Sequence, residues 1–359
     1  GEDGLILKKY EGVIKRYRDF LPEIDDRHII TILEGNTPLI KARNLGKIIN
    51  PDIEIYFKYE GLNPTGSFKD RGMTMAVSKA VSDGSKAVIC ASTGNTSESA
   101  SAYAARAGIK SFVLIPEGKI ASGKLSQALV HGAAVIQIQG NFDDALVITR
   151  EIANDYDVTL VNSVNPFRLE GQKTASFEIA DELGSAPDYH ILPVGNAGNI
   201  TAYWKGYKEY YAAGKIKSLP KMLGFQAEGA APIVLNHIVK EPHTVATAIR
   251  IGNPASWQKA VEARDESGGL IESISDEDIL KAYALLAANE GVFCEPASAI
   301  SFAGLIKLSG RGFFEKGAVC VLTLTGHGLK DPGNAIKISK EPIAVPCDKN
   351  SVLKAMGLK

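Results

Sequence analysis

The chain has 359 residues, 45% of them hydrophobic, and a formal net charge of −1. Its length exceeds one typical domain, and the apolar fraction suffices for a core of ordinary size. A near-zero charge gives no global field for nucleic acid or an anionic membrane, so any anion binding has to be local. Residues 5–20 carry Leu5, Leu7, Tyr10, Val13, Ile14 and Tyr17 at helical spacing, which predicts a surface helix. Gly1-Glu2-Asp3-Gly4 opens on acids and is unlike a signal peptide. No apolar run is long enough to cross a bilayer. Glu34-Gly35-Asn36-Thr37-Pro38-Leu39 reads as a tight loop, with Gly and Asn ahead of a proline.

From Ile53 onward strand and helix patterns alternate. Strands are expected at 53–59, 87–90, 111–115, 134–138, 158–161, 189–194, 222–226 and 318–323. Helices are expected at 68–81, 96–107, 121–130, 142–155, 166–183, 200–213, 230–239, 276–289 and 297–309. Strands separated by helix-length segments predict an α/β fold of parallel sheets with helical crossovers. Past Asp331 the sequence turns polar and mixed and reads as a C-terminal extension. Cys90, Cys294, Cys320 and Cys347 have the spacing of neither a zinc site nor a redox pair. Cys90 and Cys320 lie in apolar strand-like runs and read as reduced, small hydrophobes, which suits the cytoplasm.

The stretch Ser67-Phe68-Lys69-Asp70-Arg71-Gly72 follows the turn-forming Asn63-Pro64-Thr65 and runs into a helix. A cation at a helix N-terminus is disfavoured by about 0.3–1 kcal/mol. Burial lowers a lysine pKa further, and a lysine so depressed is a nucleophilic amine able to form a Schiff base. The alternative is a solvated lysine in a capped first turn, with Asp70 offsetting its charge.

Three polar loops follow strands, where open α/β sheets bind ligands. Ala91-Ser92-Thr93-Gly94-Asn95-Thr96-Ser97 supplies hydroxyls, an amide and a helix start. N-capping explains one or two of these residues but not the whole run. Val194-Gly195-Asn196-Ala197-Gly198-Asn199 is a glycine-containing strand-to-helix turn that could present several N–H groups to one anion. A tight turn needing positive φ is the plainer reading. Leu324-Thr325-Gly326-His327-Gly328 offers a hydroxyl and room for close approach. His327 reads as a packing residue and Lys205 as surface. Asn162-Ser163-Val164-Asn165-Pro166 reads as a helix start, which puts Arg168 in a first turn where helix dipole and guanidinium have the same sign. Glu170 could offset that charge; otherwise an arginine there beside Asn162 and Ser163 makes a clamp for phosphate or carboxylate.

A lysine able to form an imine, together with a phosphate cup of backbone amides, suggests pyridoxal phosphate. The Lys69 motif, the Ser92–Thr96 loop and the Gly195 loop, in this order, resemble the pyridoxal-phosphate enzymes of the tryptophan synthase β-subunit fold type. Glu34–Leu39, Gly195–Asn199 and Leu324–Gly328 narrow the resemblance to the threonine synthase family. Dehydratases of this fold usually carry a run of glycines where asparagines stand here. The resemblance covers residues 30 to 335.

It implies two doubly wound α/β domains with mainly parallel sheets and the cofactor in the cleft between them. Residues 1–59 and 161–335 would form the larger domain, 60–160 a smaller inserted one carrying Lys69 and Asn95, and 336–359 an extension. Lys69 would anchor pyridoxal 5'-phosphate and act as the base, Phe68 would lie near the ring, and Asn95 would hold the phenolic oxygen. Gly195, Asn196, Ala197, Gly198 and Asn199 would hold the cofactor phosphate through backbone N–H groups, and Thr325 would face the pyridine nitrogen. The implied substrate is O-phospho-L-homoserine, with its carboxylate on Ser92, Thr93, Gly94 and Thr96. Its phosphate would lie among Ser92, Thr96, Asn162, Ser163 and Arg168. The implied reaction is γ-elimination of phosphate and β-addition of water, giving threonine, in a cytoplasmic homodimer. The alternatives are a threonine or serine dehydratase of the same fold and a non-catalytic module that binds a phosphorylated metabolite.

Overall fold

The computed structural model describes residues 9–118 and 122–358. The opening Gly1–Gly4, Leu5, Leu7, Ala121 and Lys359 lie outside the described residues. Gly12, at φ 91°, turns the chain into α1 (Val13–Arg16), a single turn followed by a 3₁₀ turn at Arg18–Phe20. The long surface helix expected here is therefore not formed across the described part. Val13, Ile14 and Tyr17 are buried, and Tyr17 packs 5.3 Å from the Phe177 ring. Burial of these side chains, and not helix propensity, fixes the entry of the chain.

The chain continues through β1 (Leu39–Lys41), α2 (Leu45–Ile49), β2 (Glu54–Tyr59), α3 (Lys69–Ser82), β3 (Ala87–Ala91) and α4 (Asn95–Ala107). Next come β4 (Lys110–Pro116), α5 (Ser122–Val130), β5 (Ala134–Ile138), α6 (Phe142–Asp155), β6 (Val158–Leu160), α7 (Pro166–Gln172) and α8 (Thr174–Leu183). β7 (Tyr189–Pro193), α9 (Gly198–Ala212), β8 (Lys221–Ala227), α10 (Pro232–Leu235), α11 (Trp257–Ser267) and β9 (Leu270–Ile274) follow. The chain ends with α12 (Asp276–Glu290), α13 (Pro296–Ser309), β10 (Val319–Leu324), α14 (Pro332–Ile338) and α15 (Lys349–Ala355).

Two sheets form. One has the order β1-β2-β10-β7-β8-β9 and the other β5-β4-β3-β6. All pairs are parallel except β1 with β2. β3 and β7 are buried along their whole length, as strands covered by helices on both faces must be. The smaller sheet is built entirely from residues between β2 and β7, two strands that both pair with β10. No helix of the described residues is long and apolar enough to cross a membrane.

Several boundaries differ from the sequence expectations. The helix expected over 166–183 is parted at Lys173 into α7 and α8. The helix expected over 230–239 is only α10, because Asn236 takes a left-handed conformation (φ 57°) and ends it. β1, α2, α11 and β9 carry too little apolar periodicity to be read beforehand. The tail is not featureless, since it holds α14 and α15.

One contact positions the site. α3 and α7 cross glycine to glycine. A Cβ on Gly171 would overlap the Arg71 carbonyl, and one on Gly72 would lie 2.8 Å from the Arg168 carbonyl oxygen. The two helices therefore meet main chain to main chain.

Candidate active site

Lys69 opens α3, which has no side-chain cap. The preceding residues lie along the loop after β10. Ser67 bridges Gly326, Phe68 N–H donates to the Thr325 carbonyl at 2.9 Å, and His327 N–H donates to the Gly66 carbonyl at 2.8 Å. This seats the lysine at the carboxyl end of the larger sheet. Its Nζ stands 4.5 Å from the centre of the Phe68 ring. Burial lowers the amine to about 7, the positive charge of Arg168 lowers it too, and Glu295 opposes the shift. Asp70 does not offset Lys69, contrary to the alternative raised by the sequence. Its carboxylate accepts from Thr65 N–H at 2.7 Å, from Thr65 Oγ1 at 2.6 Å and from Ser99 Oγ at 2.6 Å. Asp70 thus fastens the loop ahead of Lys69 to α4, and burial raises it to about 6.

The loop after β3 is held from within and from outside. Ser92 Oγ accepts from Gly94 N–H and Ser97 N–H, both at 3.3 Å, and Ser97 Oγ donates to the Gly94 carbonyl at 2.8 Å. Asn162 commits one acceptor and one donor to the Ala91 backbone, at 2.9 and 2.8 Å, and so straps this loop to the one after β6. Thr96 is buried, whereas Ser92, Thr93, Gly94, Asn95 and Ser163 are partly accessible. Asn95 Nδ2 donates to both carboxylate oxygens of Glu295, at 3.1 and 3.3 Å. Glu295 is buried, and burial raises it to about 7.

The loop after β7 leads into α9 through Ala197, which is left-handed (φ 66°) and leaves the helix start without a side-chain cap. Gly195 has no room for a side chain, since a Cβ there would lie 3.1 Å from Ile249 Cα. Asn196 is pinned by Ser256 N–H on its carbonyl at 3.0 Å. Gly198 opens the helix, and neither amide atom of the buried Asn199 has a partner among the described residues. Thr325 is buried at the end of β10, with its Oγ1 2.8 Å from Ser298 Oγ. His327 caps the following 3₁₀ turn by accepting Leu329 N–H at 3.1 Å, a structural role like that read from the sequence.

Arg168 is 1% exposed. Its Nη1 donates to the Val161 carbonyl at 3.3 Å and its Nε has no partner among the described residues. Burial lowers the guanidinium to about 10.

Arg71, in the first turn of α3, sits instead in a buried ion cluster that sequence reasoning missed. It pairs with both carboxylate oxygens of Glu60, and its Nη1 and Nη2 donate to Glu178 at 2.9 and 2.7 Å. Lys58 Nζ adds a bond to Glu178 at 2.8 Å and one to the Thr37 carbonyl at 2.6 Å. Burial works against the charge on Glu178, but Arg71 and Lys58 override it and hold the carboxyl far below its usual range. Asn36 N–H also donates to Glu178, at 2.7 Å. The Glu34–Leu39 loop is thus tied to the helix that carries Lys69. No local signal links Lys58, Glu60 and Glu178, because they meet only across the fold.

An amine near neutrality can add to a carbonyl carbon. An uncapped helix start with an unpartnered amide beside it suits a phosphate. A phosphorylated aldehyde, pyridoxal phosphate, fits both.

Residues 30–326 match the family described as pyridoxal-phosphate dependent enzyme. The chain is 60% identical over 350 residues to the threonine synthase of Mycobacterium bovis, covering 97% of each. It is 57% identical over 356 residues to that of Synechocystis sp., covering 97% of this chain and 91% of the other. Among solved structures, a threonine deaminase from T.th. matches with a TM-score of 0.71 at 23% identity, covering 88% of this chain and 98% of that one, a likeness of fold alone. A family match over residues 30–326, with relatives of this identity along nearly the whole length and a buried lysine amine at the sheet ends, places the chain among the pyridoxal-phosphate dependent enzymes and, within them, in the threonine synthase family.

Proposed function

We propose that the chain converts O-phospho-L-homoserine and water to L-threonine and phosphate. The observation that carries this reading is Arg168, a buried guanidinium with no carboxylate partner among the described residues, whose field reaches the Lys69 amine. A dehydratase needs the cofactor site and a carboxylate loop, but not a second anion receptor.

Pyridoxal phosphate, when bound, supplies the electron sink that makes the substrate Cα proton acidic. Lys69 would anchor it, with Phe68 beside its ring, and Asn95, oriented by Glu295, would hold its phenolic oxygen. Gly195, Asn196, Ala197, Gly198 and Asn199 would hold its phosphate at the positive end of α9. Thr325, oriented by Ser298, would meet the pyridine nitrogen with a neutral hydroxyl, which would not hold that nitrogen protonated. Ser92, Thr93, Gly94 and Thr96 receive the substrate carboxylate. Lys69 Nζ takes the proton at Cα, gives it up, and then, neutral again, takes one at Cβ. An amine poised near 7 suits this work, since a general base serves best near the working pH. Phosphate departs from Cγ with the C–O bonding pair into the site formed by Arg168, Ser92, Thr96, Ser163 and Asn162; the two protons return to Cγ and Cα, and water gives its hydroxyl to Cβ and its proton to the departed phosphate.

We also take residues 1–59 with 161–335 as the larger domain and 60–160 as the smaller, with 336–359 as an extension. The separate sheets support this, while α3 packs Met75 with the larger core and Met73, Ala76 and Val77 with the smaller. A cleft flanked this way suits closure on substrate, which excludes water until phosphate has gone. We infer a cytoplasmic homodimer, in keeping with the family resemblance and with the buried free thiols of Cys90, Cys294 and Cys320. Sedimentation velocity of the full chain tests the dimer.

The deciding experiment gives the holoenzyme O-phospho-L-homoserine and measures phosphate and threonine together. Equal amounts of both are expected, and Lys69→Ala is expected to lose turnover and the visible absorbance while remaining folded. Ammonia and a 2-oxo acid formed from threonine, with no phosphate released from O-phospho-L-homoserine, would overturn the reading.

A further inference from the structure

Arg168 and Gln172 are four residues apart on α7 and share one face. The charge of Arg168 is near enough to lower the amine of Lys69. Gln172, one turn further, reaches the start of α9. Its Oε1 lies 3.9 Å from where a Cβ on Gly198 would stand, and its Nε2 lies 3.1 Å from the corresponding point on Gly72. The amide therefore spans from the helix that carries Lys69 to the first residue of α9.

Gln172 is 4% exposed and Asn199, in the first turn of α9, is 7% exposed. Gln172 Oε1 and both amide atoms of Asn199 have no partner among the described residues. More than nine in ten buried polar groups in native proteins are hydrogen-bonded, and an unpaired one is costly. Three unpaired atoms at the uncapped start of a 15-residue helix are the mark of a site completed by a ligand. Two of these atoms are oxygens, but the Gln172 carboxamide can turn over to present its donor hydrogens, Asn199 Nδ2 is a free donor among the described residues, and the helix end is positive, so the matching ligand is an anion.

We propose that Gln172 is a further binding residue of the cup at the start of α9, where its amide, with that of Asn199, donates to the phosphate group of the cofactor. The proposal rests on the pyridoxal-phosphate site described under the proposed function. It adds a residue from α7 to a cup otherwise made by one loop, and so ties the substrate-facing helix to cofactor occupancy.

The test titrates the full chain, as wild type, Gln172→Leu and Gln172→Glu, with pyridoxal phosphate and separately with pyridoxal, following the visible absorbance. Gln172→Leu is expected to weaken pyridoxal phosphate about tenfold and leave pyridoxal unchanged, since one hydrogen bond to a charged group is lost. Gln172→Glu sets a carboxylate against the phosphate and is expected to weaken it about a hundredfold, again sparing pyridoxal. Equal weakening of both compounds with a lowered Tm would assign Gln172 to packing and overturn the proposal, as would unchanged affinity for both. A raised KM for O-phospho-L-homoserine at unaltered cofactor affinity would move Gln172 to the substrate phosphate and overturn it as well. If Gln172→Leu is recovered unfolded, Gln172→Glu makes the same comparison. Wild type showing no absorbance with either compound would overturn the proposed function itself, whereas a wild-type response matched by both variants would overturn this inference alone.

Discussion

Two arginines, Arg71 and Arg168, are buried almost completely on helices that touch, yet their surroundings are opposite. Arg71 is ringed by Glu60, Glu178 and Thr37, and those carboxylates overcome burial and push its guanidinium up. Arg168 has one backbone carbonyl and, among the described residues, no carboxylate, and burial pushes it down. A buried charge whose partners come from its own chain belongs to the architecture. A buried charge left without one is free for the role proposed above, as partner of an arriving anion. The difference also explains which arginine the lysine feels. Arg168 lowers the Lys69 amine, whereas Arg71, two residues away in sequence, is neutralised by its carboxylates and is not among the causes.

The largest effect should come from breaking the satisfied arginine. Arg71→Met leaves Glu60 and Glu178 buried without their cation and is expected to destabilise the fold by about 3–5 kcal/mol. Denaturant unfolding measures this, and a loss under about 1 kcal/mol, the scale of an exposed ion pair, would dissolve the contrast. Arg168→Ala should do the reverse, keeping the unfolding midpoint near wild type while kcat/KM for O-phospho-L-homoserine falls by about 1.5–3 kcal/mol of lost charge-assisted bonding. Unchanged kinetics would place the substrate phosphate elsewhere. The smallest effect is on pH dependence. Only the uncharged amine attacks the cofactor, so the rate at which apoprotein takes up pyridoxal phosphate should rise as pH climbs through about 7 and level off above. Arg168→Ala should move that midpoint upward, because a nearby positive charge has been removed. A profile still rising toward the ordinary lysine range in wild type would contradict the burial of Lys69.

Much of the fold was legible because strand and helix periods are local. α3, α4 and β3 begin within a residue or so of where periodicity places them, and Pro166 marks the start of α7. The entry segment misled for a physical reason. Val13, Ile14 and Tyr17 have helical spacing, but they are buried in the core cluster that contains Phe177, with Tyr17 against its ring, instead of lining a surface helix. At the site, Lys69 could be singled out from its position at a helix start, and Arg168 from a dipole of the same sign. Asn162 could be named but not its strap on Ala91, since that bond spans 71 residues. Glu295 could not be found at all. It follows an ordinary Cys and precedes a helix-starting Pro, and only the folded chain brings it to Asn95, 200 residues away.

The glycine-to-glycine crossing of α3 and α7 has a bearing on chain-length selectivity. With Gly171 and Gly72 in contact, the span from the Lys69 amine to the Arg168 guanidinium is gauged by two main chains that cannot slide apart without losing the joint. With Arg168 as the proposed receptor of the substrate phosphate, the backbone joint sets the base of the span, and a methyl group added at Gly171 should spoil that gauge before it lengthens it.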